Sequence, residues 1–194
     1  MLHEDRPPDT CCPASREEWR RWLEEHHDKK PSVWLIQYKK RLNVPTITWS
    51  EAVDEALCFG WIDSVRKSVD ADRFMQFFGP RKPRSVWSKI NKGKVEQLIS
   101  QGRMTPAGHA AIETAKANGS WAVLDDVEAL KIPKDLRLEF KSRPGSQIFF
   151  ASLSRSVRKS MLQWLAMAKR PETRQKRISE IATLAAIGLK PKPF

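Results

Sequence analysis

The stretch "WIDSVRKSVDADRFMQFFGPR", residues 61–81, decides how this chain folds. Val65 and Val69 fall on one face of a first strand, and Phe74 and Phe78 on one face of a second. Residues 70–72, "DAD", supply the side chains that favour a turn between them. The stretch is therefore a predicted β-hairpin. Directly upstream, "EAVDEALCFG" (51–60) has a different period. Val53, Ala56 and Leu57 form a helical stripe, Ser50 is placed to cap the helix, and Gly60 stands just past its end. A helix that runs straight into a hairpin indicates the α+β class.

The same periods extend outward from this corner. "SREEWRRWLEEHH" (15–27) is a helix with Ser15 as N-cap and Glu18 three residues on, and Trp19, Trp22 and Leu23 form its apolar face. "SVWLIQYKK" (32–40) is rich in β-branched and aromatic residues and is expected to be a strand. Beyond the hairpin lie the helices "VWSKINKGKVEQLISQG" (86–102) and "TPAGHAAIETAKANG" (105–119), the second capped by Thr105 with Pro106 at its first position. From Pro133 onward only helical periodicity remains. The expected fold is α+β: a small antiparallel sheet (strand plus hairpin) packed with helices, followed by an all-helical C-terminal portion. The boundaries that follow are a disordered leader (1–14), an α+β core domain (15–118), a linker (119–132), a helical subdomain (133–188) and a tail (189–194).

Composition narrows the function classes. Lys and Arg number 35 against 23 Asp and Glu, a formal charge of +12. The excess is concentrated: 10 basic against 4 acidic side chains in 61–110, and 12 against 2 in 141–194. Such fields draw anionic small molecules, acidic partners or nucleic acid. No apolar run approaches the ~18 residues of a membrane span, and the leader lacks the apolar core of a secretory signal, so a cytoplasmic protein is expected. The 3 cysteines (Cys11, Cys12, Cys58) and 4 histidines have no ligand spacing, and no metal or cofactor is expected. Phosphate-binding glycine loops and nucleophile elbows are absent from the sequence.

The most site-like segment is "FGPRKPRSVWSKIN" (78–91). Its prolines stiffen the backbone that carries Arg81, Lys82 and Arg84, so little entropy is lost on meeting an anion. Ser88 and Asn91 lie at the start of the following helix, whose free N–H groups favour negative charge. Trp87 offers a flat ring. At the hairpin entrance, Trp61 and Asp63 share a face, and Asp63 is placed to pair with the loop cations. Ligand contacts are thus expected at Trp61, Asp63, Arg81, Lys82, Arg84, Trp87, Ser88 and Asn91, with no catalytic residue. Cys58 beside Glu55, at a helix C-terminus, is a poor nucleophile and reads as a small buried hydrophobe. The cations 155, 158 and 159 share one helix face opposite Met161 and Leu165, which leaves nucleic-acid binding through the C-terminal helices as the alternative.

Four motifs carry a family resemblance: "YKK", "ITWSEAVDEALCFGWIDSVRK", "GPRKPRSVWSKINKGKVEQLISQGRMTPAG" and "AKRPETRQKRISE". Together they resemble the YdeI/OmpD-associated, or bacteriocin-protection, family over residues 15–188. The resemblance implies a link to envelope stress and to survival of antimicrobial peptides. It carries no assigned reaction. Because the chain is itself cationic, direct capture of cationic peptides is not expected.

Overall fold

The computed structural model describes residues 9–194. Most of the expected disordered leader, residues 1–8, lies outside the described residues. The chain forms two compact units. The first comprises the described residues 9–85 together with Ile90–Ser120, and the second Val86–Lys89 together with Trp121–Phe194.

The first unit contains a four-stranded sheet of order β1-β2-β4-β3. Its elements are β1 (Thr10–Cys11), α1 (Arg16–His26), β2 (Val33–Tyr38), α2 (Trp49–Cys58), β3 (Trp61–Ser68), β4 (Arg73–Pro80), α3 (Lys89–Ser100) and α4 (Pro106–Ala117). The hairpin forms as its sequence predicts, with Trp61 opposite Pro80, Ser68 opposite Phe74 and an irregularity between Asp63 and Arg66. Asp70 closes the turn by accepting from the backbone N–H groups of Asp72 and Arg73 at 2.8 and 2.7 Å. β2 runs antiparallel to β4, with Val33 opposite Phe78 and Tyr38 opposite Arg73. β1 adds a parallel edge to β2, pairing Thr10 with Trp34, so the sheet is mixed.

Alternation positions the core. Val33, Leu35 and Gln37 of β2 are buried, while the residues between them are half-buried. The buried stripe of α1, Trp19 and Leu23, joins Val53, Ala56 and Leu57 of α2. The Trp19 indole N–H donates to the Ala52 carbonyl at 3.0 Å, and its ring lies 5.4 Å from that of Phe78.

The caps fix where the helices begin. Ser15 caps α1, and Thr105 caps α4 with Pro106 at its first position. The cap of α2 is Thr48 and not Ser50. Thr48 Oγ1 accepts from Glu51 N while the Glu51 carboxylate accepts from Thr48 N, a reciprocal pair that Ser50 cannot make because Val53 stands three residues after it. Ser50 instead takes the Lys94 ammonium at 2.8 Å. Gly60 ends the corner with φ +71°, where a side chain would strain the backbone. At Gly108 a Cβ would lie 2.3 Å from the Cys58 carbonyl oxygen, so glycine is what lets α4 lie against the end of α2.

The second unit is helical throughout: α5 (Asp125–Glu128), α6 (Lys134–Lys141), α7 (Ser146–Ser152), α8 (Arg155–Ala166) and α9 (Pro171–Ala186). Its core joins Leu136 and Phe140 of α6, Phe150 of α7, Met161, Leu162 and Leu165 of α8, and Ile178, Ile181 and Ala185 of α9. Residues 119–132 are not bare connection, since Leu124 and Val127, at the start and within α5, enter this core. No helix among the described residues is long and apolar enough to cross a membrane. The α+β assignment and the helical C-terminal portion stand, and the sheet gains one parallel strand.

Candidate anion-binding site

The loop after β4 is held at several points by its own unit. Arg81 N donates to the Gly60 carbonyl at 2.9 Å, which ties the loop entrance to the α2–β3 corner. The Pro83 carbonyl accepts from Asn118 Nδ2 at 2.7 Å and from Ser120 Oγ at 3.4 Å. Ser85 N closes a turn onto the Lys82 carbonyl at 2.8 Å. On this fixed backbone Lys82 and Arg84 are exposed.

Arg81 is set differently. It is half-buried, and burial pulls its guanidinium down to a pKa of about 10, opposed by the negative charge of Asp63. Asp63 is itself oriented, accepting on Oδ2 from the Trp49 indole N–H at 2.9 Å and from Gln76 Nε2 at 3.2 Å. Asp63 thus acts on Arg81 through its charge.

The remaining expected contacts separate. Trp61 is 1% exposed, and its indole N–H donates to the His27 carbonyl at 3.1 Å. Trp87 is also 1% exposed, with its ring centre 4.9 Å from that of Trp121. Neither indole offers an open surface. Trp87 and Ser88 belong to the second unit, while Asn91, half-buried in the first turn of α3, belongs to the first.

The α2 corner holds a cluster that sequence reasoning missed. Glu55 has no exposed surface, and both of its oxygens are taken. Oε1 accepts from Arg16 Nε and Arg103 Nη2, and Oε2 from Arg20 Nη1 at 2.9 Å. A carboxylate surrounded in this way and without exposed surface serves as an anchor for three guanidiniums. Cys58 is fully buried, and its thiol is pushed up to about 11, first by burial and then by the charge of Glu55. The pair has the chemistry of neither a base nor a nucleophile.

Much of the C-terminal positive charge is committed within its own unit. Lys159 pairs with Glu128 at 2.7 Å, and Arg155 donates to the Glu128 carbonyl at 3.0 Å. Arg174 grips Asp135 through Nε and Nη2. Arg177 donates to the Trp164 carbonyl and lies over that ring at 4.7 Å.

Comparison with known families follows the two halves of the chain. Residues 11–111 match the model of a domain of unknown function (DUF8412). That segment is more than half of the 194 residues. The chain belongs to the DUF8412 family. Residues 129–188 match the model described as "Bacteriocin-protection, YdeI or OmpD-Associated", the family that the sequence motifs resemble; of the four motifs only "AKRPETRQKRISE" (168–180) lies inside this match, the others falling within 11–111. In this DUF8412 protein that second match falls inside the helical unit, whereas the loop and the Glu55 cluster lie within the first match. No curated protein and no solved structure matches the chain.

Proposed function

We propose that this protein works by binding an anionic ligand or acidic partner through the loop 79–85, without catalysing a reaction. The observation that carries the proposal is the exposure of Lys82 and Arg84 on a backbone fixed by a hydrogen bond to the Gly60 carbonyl and by hydrogen bonds from Asn118 and Ser120. A preorganised cationic turn loses little conformational entropy when an anion docks. Lys and Arg together provide a point charge and a forked donor for phosphate or carboxylate oxygens. Arg81 stands behind them, half-buried under the influence of Asp63, and sets the field more than it makes contact.

The absence of catalysis rests on the state of Glu55 and Cys58. The proposal also places the protein in the cytoplasm, acting in stress protection through an intermediary. A surface of this charge repels cationic peptides, which argues against their direct capture.

The test is calorimetric titration at low salt with inorganic pyrophosphate, nucleoside triphosphates and a poly-glutamate peptide. Replacing both Lys82 and Arg84 by Ala should weaken binding by about tenfold or more, with the melting temperature nearly unchanged because both side chains are exposed. Unchanged affinity in the double variant, or no binding by the parent protein, would overturn the proposal.

A further inference from the structure

We propose that a second site in the first unit, apart from the basic loop, binds a small planar anion: a ring of nucleobase or aryl size that carries a phosphate or carboxylate. A pocket of about 330 Å³ lies where the ends of β2, β3 and β4 meet the start of α2. Its volume falls at the lower end of the range for small-molecule sites. Gln37, Tyr38, Lys40, Trp49, Arg66 and Phe74 are among the residues that line it.

The aromatic lining is set in place. Trp49 is 49% exposed, yet its indole N–H is held by Asp63 at 2.9 Å. An exposed indole with a fixed orientation gives a ring something to stack on at little entropic cost. The Arg66 guanidinium sits 3.8 Å above the centre of the Phe74 ring, which fixes a cation against an aromatic face.

The charge balance at this end of the sheet leaves an excess of positive charge. Asp72 is paired with Arg41 at 2.8 Å, and Asp70 with Arg73 at 2.7 Å. Glu51 is occupied by Thr48 in the α2 capping pair. Lys39 is engaged with the Ala71 carbonyl at 2.8 Å. Among the described residues, Arg66 and Lys40 have no carboxylate partner. Asp63, held by the Trp49 indole, and Glu51 keep their negative charge, but Lys39, Lys40 and Arg66 outnumber them, and this net positive balance beside the pocket favours an anion.

A third observation is independent of the charges. The Gln37 side chain, 1% exposed, donates from Nε2 to the Ile47 carbonyl at 2.7 Å, while its Oε1 is buried with no donor. A buried acceptor without a partner is costly, and native structures seldom keep one without a reason. This one belongs to a residue of the pocket wall, and a ring N–H or O–H on the ligand would supply the missing donor once the amide turns, giving up its bond to the Ile47 carbonyl. The three features call for a flat ring, negative charge and a hydrogen-bond donor in the same small molecule.

The test is titration of the full chain with AMP, 4-hydroxybenzoate, adenosine and inorganic phosphate, followed by calorimetry and tryptophan fluorescence. AMP or 4-hydroxybenzoate is expected to bind at least about tenfold tighter than adenosine or phosphate alone. Success of AMP only assigns a phosphate, success of 4-hydroxybenzoate only a carboxylate, and either supports the site. Arg66→Gln, a change at an exposed position, should weaken that binding about tenfold with the melting temperature unchanged. The Lys82→Ala/Arg84→Ala variant should leave it intact, which separates this site from the loop. The proposal is overturned if, in the Lys82→Ala/Arg84→Ala variant, adenosine or phosphate binds as well as the ring anions or none of the four binds, or if Arg66→Gln has no effect.

Discussion

Arg20 Nη1 reaches Glu55 Oε2 at 2.9 Å across 35 positions of sequence, and the carboxylate it meets has no exposed surface. With Arg16 and Arg103 on the other oxygen, one acidic side chain ties α1, α2 and the segment before α4 together. Replacing Glu55 by Gln keeps the shape but leaves three guanidiniums without their counter-charge. A loss of about 3–5 kcal/mol is expected, the range for breaking a buried ion pair from one side. Arg16→Ala should cost clearly less, since Arg16 is a quarter exposed and two arginines remain on the carboxylate. Urea unfolding of the two variants checks the order, and an unaltered midpoint for Glu55→Gln would show that the cluster does not hold the fold.

Cys58 should resist alkylation. Its thiol sits near 11, about two units above its ordinary value, so the thiolate fraction at pH 8 falls about a hundredfold. Burial reduces access further. With iodoacetamide at pH 8, exposed Cys12 is expected to label before Cys58, which should label only in urea. Peptide mass spectrometry reads both sites in one sample. Rapid native labelling of Cys58 would reopen the case for a nucleophile at this corner.

Asp135 ties α6 to Arg174 of α9, and that bond, ahead of the smaller effects, holds its carboxyl below the ordinary carboxylate value. A carboxyl whose folded pKa is depressed adds stability that is complete above its unfolded pKa of about 4 and is lost as pH falls through the lower folded value. The pair is partly exposed, so its contribution is at most about 1 kcal/mol. Asp135→Asn should therefore lower the urea midpoint at pH 6 and make little difference near pH 2. An equal deficit at both pH values would rule out the ion pair as the cause.

What the sequence disclosed was local. The hairpin, the caps at Ser15 and Thr105 and the glycine turn at Gly60 are set by neighbours a few residues apart, and each was legible. Ser50 and Thr48 are both good cap residues by type, and only the reciprocal bond with Glu51, which sequence reasoning missed, makes Thr48 the cap. β1 was hidden because two residues, Thr10 and Cys11, carry no period, and their pairing with β2 depends on the sheet already being there.

The sites were harder to read for the same reason. Glu55 could be seen, but its arginines lie 39, 35 and 48 residues away. The lining of the second pocket comes from residues 37–40, 46–49, 66 and 74, brought together by strand register. Trp61 and Trp87 looked like ligand surfaces because an indole's chemistry is visible in a sequence and its burial is not.

The Cys58 carbonyl accepts from Thr105 N at 3.1 Å and from Thr105 Oγ1 at 2.7 Å, with Gly108 pressed beside it. Two residues on, Gly60 holds Arg81. The cationic turn thus hangs from a bracket whose far bolt is the first turn of α4. A bulkier side chain at 108 would tilt that bracket and re-aim Lys82 and Arg84 without touching either of them. Anyone screening for altered affinity would then find hits in a helix that carries none of the charge.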